Sequence, residues 1–350
     1  MEPKRWVALD CFKVAAIFVM IVWHLSIWWV NLNPVIGKGL LMVGVTQWPY
    51  LLQVVVAFSG HFVMSIPVIA GASLRFYLDR QGSPLNKKKV LVAVAKRAAV
   101  LAALGFIMNF LAFGPEYWHL WNVLQLISLS MIIITFFVLY SSPYLLAISG
   151  FAVIFAAPFI RNILQGANYY PAFALVGDRL GDNIWSFFPW YGVVVYGFLA
   201  AHLYLGFKAK KQENIFRVLF ASASLLIIFI ALIRNKFFYA VDLQYPWGPL
   251  LFQPPALTVL AQLSVFTILI LLMNLSSSGI KLSKFGIINV FSKGILWIYI
   301  VHMVVGFRLI EFLVDNGFQS SLMLFFIMAF IFILSYAVGA LSVLKKEKVS

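Results

Sequence analysis

Three ionisable side chains stand in or beside the first apolar run of the chain: Asp10, Lys13 and His24. Such groups are expensive in lipid and face a protein interior or an aqueous cavity. Lys13 and His24 are eleven residues apart, close to three helical turns, and Asp10 precedes Lys13 by three, so all three share one helix face. At helical rise His24 lies roughly 16 Å deeper than Lys13. That is near the middle of a hydrocarbon core about 30 Å thick. An imidazole at that depth, on a stripe leading back to charges at one surface, suits general base catalysis inside the membrane.

The other histidines divide by depth. His61 falls roughly 10 Å below the outer end of the second expected span, and His302 roughly 14 Å above Lys293 in the ninth. His119 belongs to an outer loop and His202 to the inner end of the sixth span. A hydrogen-bonded structural role is the ordinary fate of one buried histidine. Three at one level, from three spans, favour chemistry. A metal site is the weaker reading, because no carboxylate accompanies them and no helix carries a histidine pair at i, i+4. A proton relay is weakened by the scarcity of Asp and Glu inside the spans. The lone Cys11 allows no internal disulfide and reads as a small packing residue.

The elements that must position these groups are membrane helices. Hydrophobic residues make up 63% of the 350 and charged residues only 11%, more apolar surface than a soluble chain can bury. The expected architecture is all-α and polytopic, one membrane domain over 1–350. Its spans fall near 10–30, 54–77, 95–114, 120–140, 143–161, 185–206, 215–233, 255–275, 290–312 and 321–343. Residues 34–53, with Pro34, Gly37 and Pro49, read as an interfacial stretch. Lys4 and Arg5 before an apolar run resemble a secretory signal, but charge continues to Lys13 and Trp28 and Trp29 follow, so a retained first span is expected.

Net charge is +15. The basic residues are scattered among apolar spans, which argues against a nucleic-acid partner. With both termini in the cytoplasm, twenty of the 26 lysines and arginines fall inside, and only Lys38, Arg161, Arg179, Arg234, Lys236 and Arg308 fall outside. Ten spans satisfy this bias at both ends of the chain. Aromatic residues of the outer loops, among them Trp118, Trp121 and Trp247, read first as interface anchors and second as sugar-binding surfaces.

The segment Arg5-x-x-x-Leu9-Asp10-x-x-Lys13-x-x-Ala16, with His24, resembles the first span of two related groups of membrane acyltransferases. One is the transmembrane N-acetyltransferase family typified by heparan-α-glucosaminide N-acetyltransferase; the other is the acyltransferase-3 family. Later segments are similar to the first group, in the same order: Gly71-Ala72-Ser73-Leu74, Lys96-Arg97, Leu104-Gly105-x-x-x-Asn109, Trp121-Asn122-Val123-Leu124-Gln125, Phe188-Pro189-Trp190-x-Gly192, Tyr196-Gly197 and Gly294-Ile295-Leu296-Trp297-x-Tyr299-x-x-His302. The resemblance implies transfer of an acetyl group from cytoplasmic acetyl-CoA to an amine or hydroxyl at the outer side. There are departures. Lys13 stands where the family has Arg, and His24 where the N-acetyltransferases have Asn. No histidine lies between His24 and His61, although the heparan enzyme has a catalytic one in that outer loop; either His24 or His61 takes the role, or the activity differs. A counterpart of that enzyme's large outer domain is not expected, nor therefore a recognition surface for a long polysaccharide.

The expected enzyme is therefore an acetyl-CoA-dependent N- or O-acetyltransferase of the cell membrane. His24 is the expected general base, with His61 assisting. Arg5, Lys13 and Arg97 would hold the donor's phosphates. Asn122, Gln125, Tyr299 and His302 would bind the acceptor or line the cavity. No metal is expected. The expected partners are a small acceptor such as an amino sugar, the lipid bilayer and a second copy of the chain in a homodimer. The residues leave direct transfer and an acetyl-imidazole intermediate both open. The alternative function is a transporter or flippase for a small polar or lipid-linked solute, weakened by the absence of repeats and of broken spans in matching positions.

Overall fold

The computed structural model describes residues 6–32, 62, 64–82, 86–164, 175, 185–234, 254–276, 286–318 and 320–347. These residues are helical, with no strand among them. We number the helices α1 (Val7–Leu32), α2 (Ser65–Asp79), α3 (Lys87–Phe113), α4 (Val123–Tyr140), α5 (Pro143–Leu164), α6 (Phe187–Ala209), α7 (Glu213–Ile233), α8 (Ala256–Ser276), α9 (Ile287–Asp315) and α10 (Ser321–Glu347). Nine of the described helices are long and apolar enough to cross a membrane. The protein is a polytopic, all-helical membrane protein. The remaining helix, α2, is 15 residues long and is the described part of the second expected span; residues 33–61, with the expected interfacial stretch, Arg5 and His61 all lie outside the described residues.

Two differences from the expected boundaries have local causes. Helix α3 begins eight residues before the apolar run, at Lys87, because Asn86 caps it: its side chain accepts from the Lys89 amide at 3.0 Å. Helix α9 is not one regular helix. A π-turn at His302–Gly306 joins Ile287–Val301 to Phe307–Asp315, a widening that apolar periodicity does not announce.

The helices differ in which neighbours they need. Helix α1 is central, packing on α2, α8, α9 and α10, and buries Phe12, Ile17, Met20, Ile21, Leu25 and Trp29. Helix α5 is peripheral. Gly150, Ile154 and Ala157 are buried along one stripe, while Ile148, Phe151, Phe155 and Phe159 are exposed along the other. An exposed apolar face of that length is stable only against lipid. Small residues let helices touch where lipid offers no hydrophobic drive for association. A Cβ on Gly71 of α2 would strike the Val194 carbonyl of α6, and one on Gly197 of α6 would strike the Val68 carbonyl of α2. The two backbones meet at these reciprocal glycines. Helices α9 and α10 meet likewise: a Cβ on Gly294 would lie 2.7 Å from the Gly339 Cα.

Candidate active site

A cavity of about 270 Å³ opens between α1, α2, α3, α4 and α9. Helices α1 and α3 run one way through it and α2 and α4 the other, so the order of lining residues along each chain fixes its two ends. Lys13, Tyr77, Arg97 and Met131 stand at one end, and Met20, Ile66, Leu101 and Val123 at the other. Lys13 and Met20 are roughly 10 Å apart along α1. The charged side chains of the lining are both at the first end.

The two cations there differ. Lys13 is 3.5 Å from the Asp10 carboxylate, which in turn accepts a hydrogen bond from Ser292 of α9. Asp10 is buried, and these two contacts tie it across α1 and α9. Arg97 has no carboxylate partner among the described residues. Its guanidinium lies over the Tyr77 ring, with Cζ 3.8 Å from the centroid. A stacked guanidinium keeps its edge donors available for an anion. The cavity thus offers a basic mouth and an apolar body.

Beyond the opposite end lies a histidine pair. His24 is one turn past Met20 on α1, and His302 is three residues past Tyr299 on α9. His24 Nδ1 and His302 Nε2 are 3.1 Å apart, and His302 Nδ1 is 3.0 Å from the Ile298 carbonyl oxygen. A carbonyl oxygen only accepts, so His302 Nδ1 carries the proton. With both rings neutral, His302 Nε2 is then bare and His24 Nδ1 donates to it. This leaves His24 Nε2 as a bare lone pair, and it has no partner among the described residues. The hydrogen-bond chain selects the tautomer a general base needs. His24 is further held by the Trp28 ring, stacked at 5.1 Å, and by Trp23, edge-on at 4.8 Å.

The π-turn and a glycine bring the pair together. Helix α9 widens at His302, and Gly306 faces α1 closely enough that a Cβ there would lie 2.8 Å from Leu25 Cδ2 and 3.5 Å from Trp28 Cζ3. A Cβ at Gly306 would have to displace the Leu25 side chain, one residue from His24.

Three of the expected residues are set apart from the cavity lining. His302 is fully buried and does not line the cavity; it meets His24 instead. Asn122 is engaged in the N-terminal cap of α4. Its Oδ1 accepts from the Leu124 amide at 2.8 Å, and its Nδ2 donates to the Gly105 carbonyl at 3.1 Å and to Asn109 Oδ1 at 2.8 Å. Gln125 completes that capping box, its Oε1 accepting from the Asn122 amide at 3.1 Å. Neither side chain lines the cavity, and Gln125 Nε2 has no hydrogen-bond partner among the described residues. Lys13, Arg97 and Tyr299 do line one cavity. The sequence does not single out Tyr77, Ser292 or Gly306, although each lies within about one turn of a quoted segment: Tyr77 after Gly71-Ala72-Ser73-Leu74, and Ser292 and Gly306 on either side of the stretch from Gly294 to His302.

The family model of heparan-α-glucosaminide N-acetyltransferase, catalytic, matches residues 5–233. The chain belongs to this family. No individually curated protein matches it. Membership makes the protein a membrane N-acetyltransferase in kind. The matched stretch of this acetyltransferase holds Lys13, His24, Tyr77 and Arg97. His302 and Tyr299 lie beyond it, on α9, so the histidine pair joins a matched helix to one outside the match. Among the described residues no group of three or more His, Cys, Asp or Glu side chains is placed to hold a metal ion.

Proposed function

We propose that the protein transfers an acetyl group from acetyl-CoA, taken up at the cytoplasmic side, to an amine or hydroxyl of a small acceptor such as an amino sugar at the outer side. One observation carries this reading: the cations of a single intramembrane cavity stand at one end, and the His24–His302 pair stands one turn beyond the other. An anionic carrier with a long, mostly apolar arm suits that polarity. Arg97 and Lys13 meet its phosphates, the apolar body takes the arm, and the thioester comes to the histidine end. His24 Nε2 then accepts the proton from the acceptor's N–H or O–H as that atom attacks the acetyl carbonyl. The C–S bond breaks, and the departing thiolate takes a proton, leaving free CoA and the acetylated acceptor. The basic end belongs to the cytoplasmic side because the positive-inside bias puts the start of α1 there.

The competing function is carriage of a polar solute. Purified protein in sealed vesicles, given acetyl-labelled CoA on one side and glucosamine on the other, separates the two. Labelled N-acetylglucosamine supports the enzyme. Movement of unmodified glucosamine without label transfer supports the carrier.

A further inference from the structure

Tyr299 is the residue between the cavity and the histidine pair. It lines the cavity from α9, on the face shared with Ile295 and Leu296. Its ring stands edge-on to His302, with centroids 5.3 Å apart and planes at 71°. Only 8% of the residue is exposed, and its hydroxyl makes no hydrogen bond among the described residues. Buried phenols normally find an acceptor. Here the lining around it at the far end, Met20, Ile66, Leu101 and Val123, is apolar. A donor without an acceptor, at the end of the cavity nearest the base, is placed for an acceptor that arrives with the substrate.

We infer that the Tyr299 hydroxyl donates a hydrogen bond to the acyl carbonyl oxygen of the thioester and stabilises the negative charge that develops there during transfer. The inference rests on the acetyl-transfer reading above. As the acceptor atom bonds to the carbonyl carbon, the carbonyl π electrons move onto oxygen, which the phenol O–H holds while keeping its own proton. His24 Nε2 takes the acceptor's proton. The electrons return to re-form C=O as the C–S bond breaks, and the thiolate leaves and is protonated. A donor fixed before the reaction acts where charge appears and needs no reorganisation. Tyr299 is thus a catalytic residue, distinct from His302, which acts through His24.

The test is Tyr299→Phe, which keeps the ring against His302 and removes only the hydroxyl. The expected result is a fall in kcat on the order of 100-fold, with KM for acetyl-CoA and the Kd of CoA within about threefold of wild type and an unchanged melting temperature in detergent. A variant that keeps wild-type kcat overturns the role of Tyr299 and leaves the acetyl-transfer reading standing. Parallel loss of CoA binding and thermal stability overturns it too, since that marks a packing role. If the wild-type protein transfers no acetyl group at all, the parent reading fails, and this inference with it.

Discussion

A cation stacked on a phenol ring and a cation beside a carboxylate present different faces to an incoming anion. Arg97, over Tyr77, keeps its fork of donors; Lys13, beside Asp10, is partly compensated. Arg97→Ala should therefore raise KM for acetyl-CoA by about tenfold, a loss of about 1.4 kcal/mol, with little change in kcat. Arg97→Lys should recover only part of that, because an ammonium neither stacks nor forks. The histidine pair makes a different prediction. His302→Ala leaves His24 Nδ1 without its acceptor and releases the tautomer, so kcat should fall by about 10- to 100-fold while KM for acetyl-CoA holds. Steady-state kinetics on purified variants checks both, and a change in KM at His302 equal to that in kcat would count against a tautomer role.

At the scale of helices, some features follow from the sequence and others do not. The charge on α1 was legible: the eleven-residue step from Lys13 to His24 puts both on one side of a central helix, and the structure has Lys13 on the cavity and His24 just past its end. The π-turn at His302–Gly306 was not legible, since hydropathy averages over a turn and does not register one extra residue in the hydrogen-bond ring. Asn122 and Gln125 cap the start of α4, a role the sequence does not separate from ligand binding, because a buried helix start and a ligand are met by the same amide side chains. Gly71, Gly197 and Gly294 stand in the quoted segments, yet their partners across helices are not legible there. Gly71→Ala should destabilise the protein by about 1–3 kcal/mol through the clash with the Val194 carbonyl. Chemical denaturation in detergent measures this, and stability within a few tenths of wild type would contradict a backbone contact there. Gly306→Ala pushes on Leu25 and Trp28 instead, so its effect should appear in kcat before it appears in stability.

At the scale of the whole molecule, short turns make successive helices antiparallel, as between α2 and α3, α3 and α4, and α6 and α7. That alternation carries Lys13, Tyr77 and Arg97 to one side of the cavity and the histidine pair toward the other. In the orientation proposed above, with the start of α1 inside, Gln81 in the α2–α3 turn would face the cytoplasm and Glu116 in the α3–α4 turn the outside. In a Cys11→Ser background, a cysteine at Gln81 should react with a membrane-impermeant maleimide only after permeabilisation, and one at Glu116 should react in intact cells. The reverse pattern would turn the cavity around and put its basic end on the wrong side for a cytoplasmic donor. The account as a whole turns on the bare nitrogen of His24 beyond the apolar end of the cavity. It is tested most directly by acetyl transfer from labelled acetyl-CoA to an amino sugar by the His24→Ala protein, with CoA affinity measured on the same preparation. The account predicts a fall in kcat of about 100- to 10,000-fold with CoA still bound at wild-type affinity; turnover at the wild-type rate would contradict it.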